Sequence, residues 1–364
     1  MRVRPGLSVL WRREGESQVG TDPRCAVVVE GLAPAEQRLL DQLEHERTTV
    51  ELLSLGRSAG VPASRVRTLV RLLDQAGVLD HQPVSVREDA DVDHWTRAGN
   101  DGARLLARRA RAVVAVHGLG RLGMTLASAL AAAGVGTVLT DGPGAVRRDE
   151  VGAGGYLLAD VGNPRRERAP AALRATYPAL RTSAPRGTRP DVVVLVDQDV
   201  ADPARTRPLL REDVVHLNVL VRELDVVVGP LVRPGHGPCL RCLDLHRRDA
   251  DPCWPAIATQ LLGSRDRGVE ASLAQAGAAT ALGQVLAALD GRPVAVDGAS
   301  LELGPSTAVP TVRRWSVHPA CGCTDLVPLE QAPAGHGRHG GGAQREEDDH
   351  GREPRPEPSD AGAG

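Results

Sequence analysis

The chain has 364 residues, enough for two ordinary domains that each bury a core of their own. It contains no phenylalanine and no lysine, so all 44 basic side chains are arginine, and a Walker A lysine, a Schiff-base lysine and a lysine phosphate clamp are all excluded. The formal net charge of -2, with acids and arginines interleaved along most of the chain, gives no whole-molecule attraction to nucleic acid.

The N-terminal MRVRPGLSVLWRREGES lacks the apolar core of a signal peptide, and no apolar run approaches membrane-spanning length, a pattern that places the protein in the cytoplasm with no membrane partner. In that reducing compartment Cys25, Cys239, Cys242, Cys253, Cys321 and Cys323 are expected to be metal ligands or catalytic groups rather than disulfides. Short extended runs, LSVLWR, SQVGTD and CAVVVEG, come first. Helical periodicity follows in AEQRLLDQLEHE, TVELLSLGRSAG and PASRVRTLVRLLDQAGVLD, with Gly60 and Gly77 as C-terminal stops. Three strands followed by three helices predict a small winged-helix-like α+β domain over residues 1–80. A polar stretch over 81–102 is predicted to be a linker.

From 103 to 330 the pattern changes to βαβ alternation and predicts an α/β, Rossmann-like domain. RAVVAVHG is a buried strand, LGMTLASALAAAG a tightly packed helix, TVLTD a second strand, and 191–197 a later one. Two more apolar strands are expected within 214–232 and an Ala-rich helix over 268–289. The stretch 331–364, with His336, His339 and His350, has too little apolar surface to offset its ordering entropy and is expected to be disordered.

The glycines Gly118, Gly120 and Gly123 stand between a strand and a helix at dinucleotide-fingerprint spacing, where the backbone must turn tightly and approach a phosphate at a helix N-terminus. Asp141 ends the next strand about 20 residues on, placed for a ribose hydroxyl. A tight βα turn with no ligand is the plain alternative. Cys239 and Cys242 in CLRC, and Cys321 and Cys323 in CGC, form two close pairs about 80 residues apart, the spacing of a closed, structural zinc site with four cysteine ligands. Because the second pair has a single intervening residue, His318 is an alternative ligand.

The order of glycine turn, AAAGVGTVLTD, ADVGNPR, DVVVLVD, CxxC and C-terminal cysteine pair resembles the ThiF and MoeB family, relatives of the ubiquitin-activating E1 enzymes, over residues 110–328. The resemblance implies a fold that binds ATP and adenylates the C-terminus of a small partner protein. It implies a homodimer, Asp141 on the ribose, and Asp197 on magnesium near the phosphates. Pro143 replaces a second acid of the family, Arg165 replaces its lysine, and the loop DEVGAGGYLLADVG carries no counterpart of its SNLxRQ arginine. Fixed cations stabilise the charge that develops in nucleotidyl transfer, so these departures imply weak or absent adenylation. Cys253, eleven residues after Cys242, stands where sulfur-transferring members carry a reactive cysteine; a bystander thiol is the other reading.

For residues 1–80 two functions compete. A DNA-binding winged helix would use Arg65, Arg67 and Arg71, but acids interrupt the basic face. The RPGLSVLWR, CAVVVEG and LxxAEQRLL segments resemble PqqD-like peptide-recognition elements, which take an extended leader beside their third strand. That resemblance places Ala26, Val27, Val28, Val29, Arg65, Leu69 and Leu72 at the groove. Joined to a ThiF-like domain, it resembles the leader-binding component of azoline-forming cyclodehydratases, in which a separate partner protein performs the ATP-dependent cyclisation. The alternative is an active ThiF-like adenylyltransferase acting on a carrier protein or peptide.

Overall fold

A computed structural model describes residues 1–81, 89–152, 154–262, 266–304 and 309–324, all within one compact unit. The expectation of disorder for 331–364 lies outside these residues. At the front, β1 (Arg2–Val3) precedes an antiparallel sheet of β2 (Val9–Arg13), β3 (Glu16–Val19) and β4 (Val27–Glu30), in that order. Gln37 fixes the β2–β3 turn: its Oε1 accepts from Gly15 N–H at 2.9 Å, and its amide donates to the carbonyls of Arg13 and Glu16, each at 3.1 Å. Three helices follow, α1 (Pro34–Asp41), α2 (Thr49–Ser58) and α3 (Ala63–Gln75).

Thr48 and Glu51 form a reciprocal capping box that satisfies two otherwise unpaired donors at the start of α2. Gly60 and Gly77 end α2 and α3 with φ of +74° and +68°, a left-handed stop that costs glycine no steric penalty. A short β5 (Leu79–Asp80) then pairs with β1, closing the front unit on itself. Leu39, Leu40, Leu52, Val66, Leu69 and Leu73 make its core, separate from the core behind it.

The 81–102 stretch, expected as linker, contains α4 (Ala90–Arg97), capped by Asp89, whose Oδ1 accepts from Asp91 N–H at 3.0 Å. Its polar composition conceals an anchoring tryptophan. Trp95 sits against two guanidiniums remote in sequence, Arg109 at 5.5 Å and Arg292 at 4.4 Å from the ring centre, while Arg97 donates to the Pro5 carbonyl at 2.9 Å. The helix therefore bridges the front unit and the α/β body.

The body runs α5 (Gly102–Arg109), β6 (Val113–His117), α6 (Arg121–Ala132), β7 (Thr137–Asp141), α7 (Arg165–Thr176), β8 (Val192–Gln198) and α8 (Pro203–Arg211). It continues with β9 (His216–Val221), β10 (Val226–Val232), α9 (Leu240–Ala250), α10 (Trp254–Leu261), α11 (Ala271–Asp290), β11 (Ala299–Leu303) and β12 (Thr311–Arg314). The sheet order is β12-β11-β10-β9-β8-β6-β7; β7, β6, β8 and β9 are parallel and the rest antiparallel. Central strands such as β8 are apolar on both faces because both are covered.

Val114, Val116, Val194, Leu217 and Val219 pack with α6 and α11, while Ala115, Val193 and Leu195 face the opposite side. At 20 residues α11 is long and apolar enough, by length and composition, to cross a membrane, which corrects the sequence expectation that no run approaches that length. Its Ala274, Ala278, Ala281 and Val285 are instead core residues.

Arg109 and Asp290 tie α5 to the end of α11 through a two-pronged pair, 2.7 Å and 3.0 Å, with side chains 2% and 0% exposed. Removing one partner would leave the other charge buried and unpaired, which costs about 3–5 kcal/mol. Asp290→Ala is expected to lower the urea unfolding free energy by about that amount; a loss below about 1 kcal/mol would show that water compensates the arginine.

Candidate functional site

A cleft of about 300 Å3 opens at the C-terminal ends of β6 and β8, where the chain leaves the sheet in opposite directions and doubly wound folds hold ligands. Gly118, Gly120 and Gly123 line it. Gly118 has φ +94°, and a Cβ there would lie 2.1 Å from the Val196 carbonyl; one at Gly123 would lie 1.8 Å from the Gly118 carbonyl. Both positions exclude any side chain. Gly120 caps α6 and faces the cleft.

Arg165 lines the same cleft, 7% exposed, with every donor group engaged: Nε to Glu150 at 3.0 Å, Nη1 to the Pro143 carbonyl at 3.2 Å, and Nη2 to Glu150 and to Asp266 at 3.0 Å. Arg147 adds a second guanidinium, paired with Asp149 at 3.0 Å and with Asp266 at 2.8 Å. Burial alone would raise the Asp266 carboxyl, yet the Gly268 N–H, Arg147 and Arg165 hold it below the usual carboxylate range. Both guanidiniums are thus held by carboxylates.

Asp197, at the end of β8, is 8% exposed; Arg205 from α8 holds one carboxylate oxygen while Oδ2 has no hydrogen-bond partner. Burial pushes its carboxyl up to about 6 against the pull of Arg205. Asp141 is 74% exposed on the neighbouring strand end, with its Oδ2 3.5 Å from His117 Nδ1. Burial, with Arg205 nearby, holds His117 below its ordinary value. Asp141 is outside the cleft lining, whereas Asp197 and Arg165 are part of it.

Cys253 is exposed at the start of α10, where its N–H donates to Asp251. The far end of α10, Leu261, lines the cleft, so a helix length of about 12 Å separates the thiol from it. Sequence reading missed Arg147, Glu150, Arg205 and Asp266. Their signal is weak because acids and arginines alternate almost everywhere.

The four cysteines converge. Cys239 caps α9, Cys242 lies one turn on, and Gly322, with φ +67°, turns the chain between Cys321 and Cys323. Sulfur separations are 3.9 Å for Cys239–Cys242 and 3.5 Å for both Cys239–Cys321 and Cys242–Cys323, and all four sulfurs lie within 4.8 Å of one another. Tetrahedral ligation at Zn–S of about 2.3 Å requires about 3.8 Å, so the donor set fits zinc and leaves no open position. His318 is not part of it: Nε2 lies 2.7 Å from Asp249 Oδ2, and Nδ1 accepts from Ala320 N–H at 3.1 Å. Both ring nitrogens are committed to positioning the loop before Cys321.

In the front unit, β4 is an edge strand whose outer side is unpaired among the described residues. Gly20 N–H donates to Ser8 in the direction of β2, and strand alternation then turns Val19 and Ser17 toward Val27 and Val29. The Val28 donor consequently points off the sheet. Val28 is 41% exposed and Leu72 46%, but Leu69 is 2% exposed and belongs to the core. Arg65 is held by Glu36 at 2.8 Å and by the Gly31 carbonyl at 3.0 Å, and Ala26 precedes the strand. Of the seven expected groove residues, Leu69 is therefore corrected to a core position.

No family model matches the chain, and no curated protein matches it. Among solved structures, E. coli MccB with ATP is similar over 88% of this chain and 98% of that one, at 15% identity and TM-score 0.65. The microcin C7 biosynthetic enzyme MccB in complex with N-formylated MccA matches over 89% and 99% of the two chains, at 14% identity and TM-score 0.65. PaaA matches over 85% and 98%, at 14% identity and TM-score 0.64. At these identities the likeness is one of fold.

Metal analysis of the purified protein is expected to find one zinc per chain. Cys239→Ser should lose the ion and destabilise the α9 region together; a variant that keeps both stoichiometric zinc and wild-type melting would refute the ligand set.

Proposed function

We propose that this protein binds the leader of a ribosomal precursor peptide along the open edge of β4 and recruits it to a separate cyclodehydratase that forms azolines. The observation that carries the reading is the unpaired β4 edge, with Val28 exposed beside it. An extended peptide that adds a strand there gains main-chain hydrogen bonds, and side-chain contacts at Val28 and Leu72 supply selectivity. The MccB likeness supports it in part. Only 11–12% of this chain, about 40 residues, lies outside those matches, so at least about 36 of the front unit's 80 residues fall within them. One such structure holds N-formylated MccA.

In this reading the α/β body is a scaffold clasped by a structural zinc, acting in the cytoplasm, where thiolate ligands stay reduced. It pairs as a homodimer, and the exposed Leu157, Leu158 and Val161 on one loop supply an apolar contact for it. DNA is a poor partner, because Arg65 is already neutralised by Glu36.

Full-length protein should bind a synthetic precursor with an affinity that changes little between low and moderate salt, since backbone pairing releases no counterions. Val28→Pro removes the outward donor and should weaken binding at least about tenfold. Steeply salt-sensitive binding of duplex DNA, with no binding of precursor, would end the leader reading.

A second reading, adenylation of a carrier protein or peptide C-terminus, is favoured by the glycine turn, by Asp197 and by the MccB structure that holds ATP. Magnesium would sit at Asp197 and supply charge to the phosphates. Against this, Arg147 and Arg165 are already paired with carboxylates. ATP–pyrophosphate exchange is expected at no more than trace level; robust exchange abolished by Asp197→Ala would establish the adenylation reading instead.

A further inference from the structure

The start of α6 is assembled to receive an anion, and the chain itself supplies one. Gly120 is the N-cap, where the first backbone N–H groups lack helical partners and the helix dipole is positive. A Cβ at Gly120 would lie 3.7 Å from Glu150 Oε1 and 3.9 Å from Asp266 Oδ2, so two carboxylates reach the helix start. Asp266 Oδ2 lies 3.0 Å from Arg165 Nη2 and 2.8 Å from Arg147 Nη1. Its Oδ1 accepts from Gly268 N–H at 3.0 Å and from the Gln198 amide at 3.4 Å.

The segment that follows it is fastened at two points. Arg267 pairs with Asp199 after β8, and Arg121 donates to the Val269 carbonyl at 3.2 Å. A second observation in the same cleft points to a ligand other than a carboxylate. Asp197 is more than nine-tenths buried, and its Oδ2 has no hydrogen-bond donor among the described residues. Such an oxygen calls for a hydroxyl or a hydrated cation, and Asp266 supplies neither.

We propose that Asp266 is an internal substitute for a bound polyphosphate, closing a site at the α6 N-terminus that otherwise takes a magnesium-bound polyphosphate between Arg147 and Arg165. The charges support this. Arg147 and Arg165 face Asp149, Glu150 and Asp266, so neither has charge to spare for a phosphate while Asp266 is in place; Arg121, in the same cleft lining, is turned to the Val269 carbonyl. Without Asp266 the cluster is balanced, and magnesium with the backbone N–H groups supplies the attraction. Polyphosphate and Asp266 therefore exclude each other. The proposal does not rest on the leader reading, because its readout is polyphosphate affinity and not peptide binding.

The test is calorimetric titration of full-length protein with ATP and magnesium, and with pyrophosphate and magnesium. Asp266→Asn, which keeps shape and removes charge, should bind at least about tenfold more tightly than wild type. Adding Arg147→Ala to it should abolish the gain. Equal affinity of wild type and Asp266→Asn, whether both bind or neither does, overturns the proposal. Should Asp266→Asn melt below wild type, Arg267→Ala, which unfastens the turn without touching the clamp, decides the matter: a severalfold gain supports the proposal, and unchanged affinity overturns it.

Discussion

Everything in the α/β body depends on the close approach of the β6–α6 turn to β8. At Gly118 the Val196 carbonyl occupies the place of a Cβ, and at Gly123 the Gly118 carbonyl does so. Any side chain would force β6 from its central position between β7 and β8, and α6 with it. Since α6 shares its core with α11, the displacement would reach the largest apolar cluster in the molecule. The same approach points the α6 N-terminus into the cleft. Charged side chains from four segments, around 147–150, 165, 197–205 and 266–268, then converge on that point.

Charges gathered in a partly buried cleft must be compensated, because desolvating an unpaired guanidinium or carboxylate costs several kcal/mol. Here compensation is internal. Glu150 is fully buried and takes Arg165, Asp266 takes both Arg165 and Arg147, and Asp197 takes Arg205. The sequence argues that a phosphate clamp is lost through Pro143, Arg165 and a missing arginine in the following loop. In the structure Arg147, just before that loop, and Arg165 are both held by acids.

The legible features were those carried by local periodicity or by rare residues. Runs such as VVAVH and VVVLVD declare buried parallel strands, glycines 60 and 77 declare helix ends, and two close cysteine pairs declare a tetrahedral site. Long-range pairing was not legible. Arg165 and Asp266 are 101 positions apart, and nothing in either neighbourhood selects the other from a chain full of arginines and acids. Trp95 was hidden for the same reason, as its partners Arg109 and Arg292 come from distant segments. His318 could not be separated from the cysteines by spacing, since only the Asp249 contact removes it. On α3, Arg65, Leu69 and Leu72 fall within about 60° of one another around the axis. The core is centred on Val66, Leu69 and Leu73, so its boundary passes between Leu69 and Leu72. Periodicity shows that such a face exists, not where its edge lies.

Capacity to bind resides where hydrogen-bonding groups and charges are unmet. In the α/β body most are met from within: the sheet is covered, the cysteines satisfy one another's geometry, and Arg147 and Arg165 hold carboxylates. In the front unit the outer edge of β4 still presents backbone donors and acceptors, which a sheet leaves open only at some risk of unwanted pairing. The proposed recruiting role uses that open edge, which can take a strand. Trp95 and Arg97 on α4 give the arrangement mechanical sense, because they hold that edge to the body through contacts on both sides instead of leaving it on a tether. On the proposed reading, a peptide bound at β4 is then presented at a defined place relative to the body.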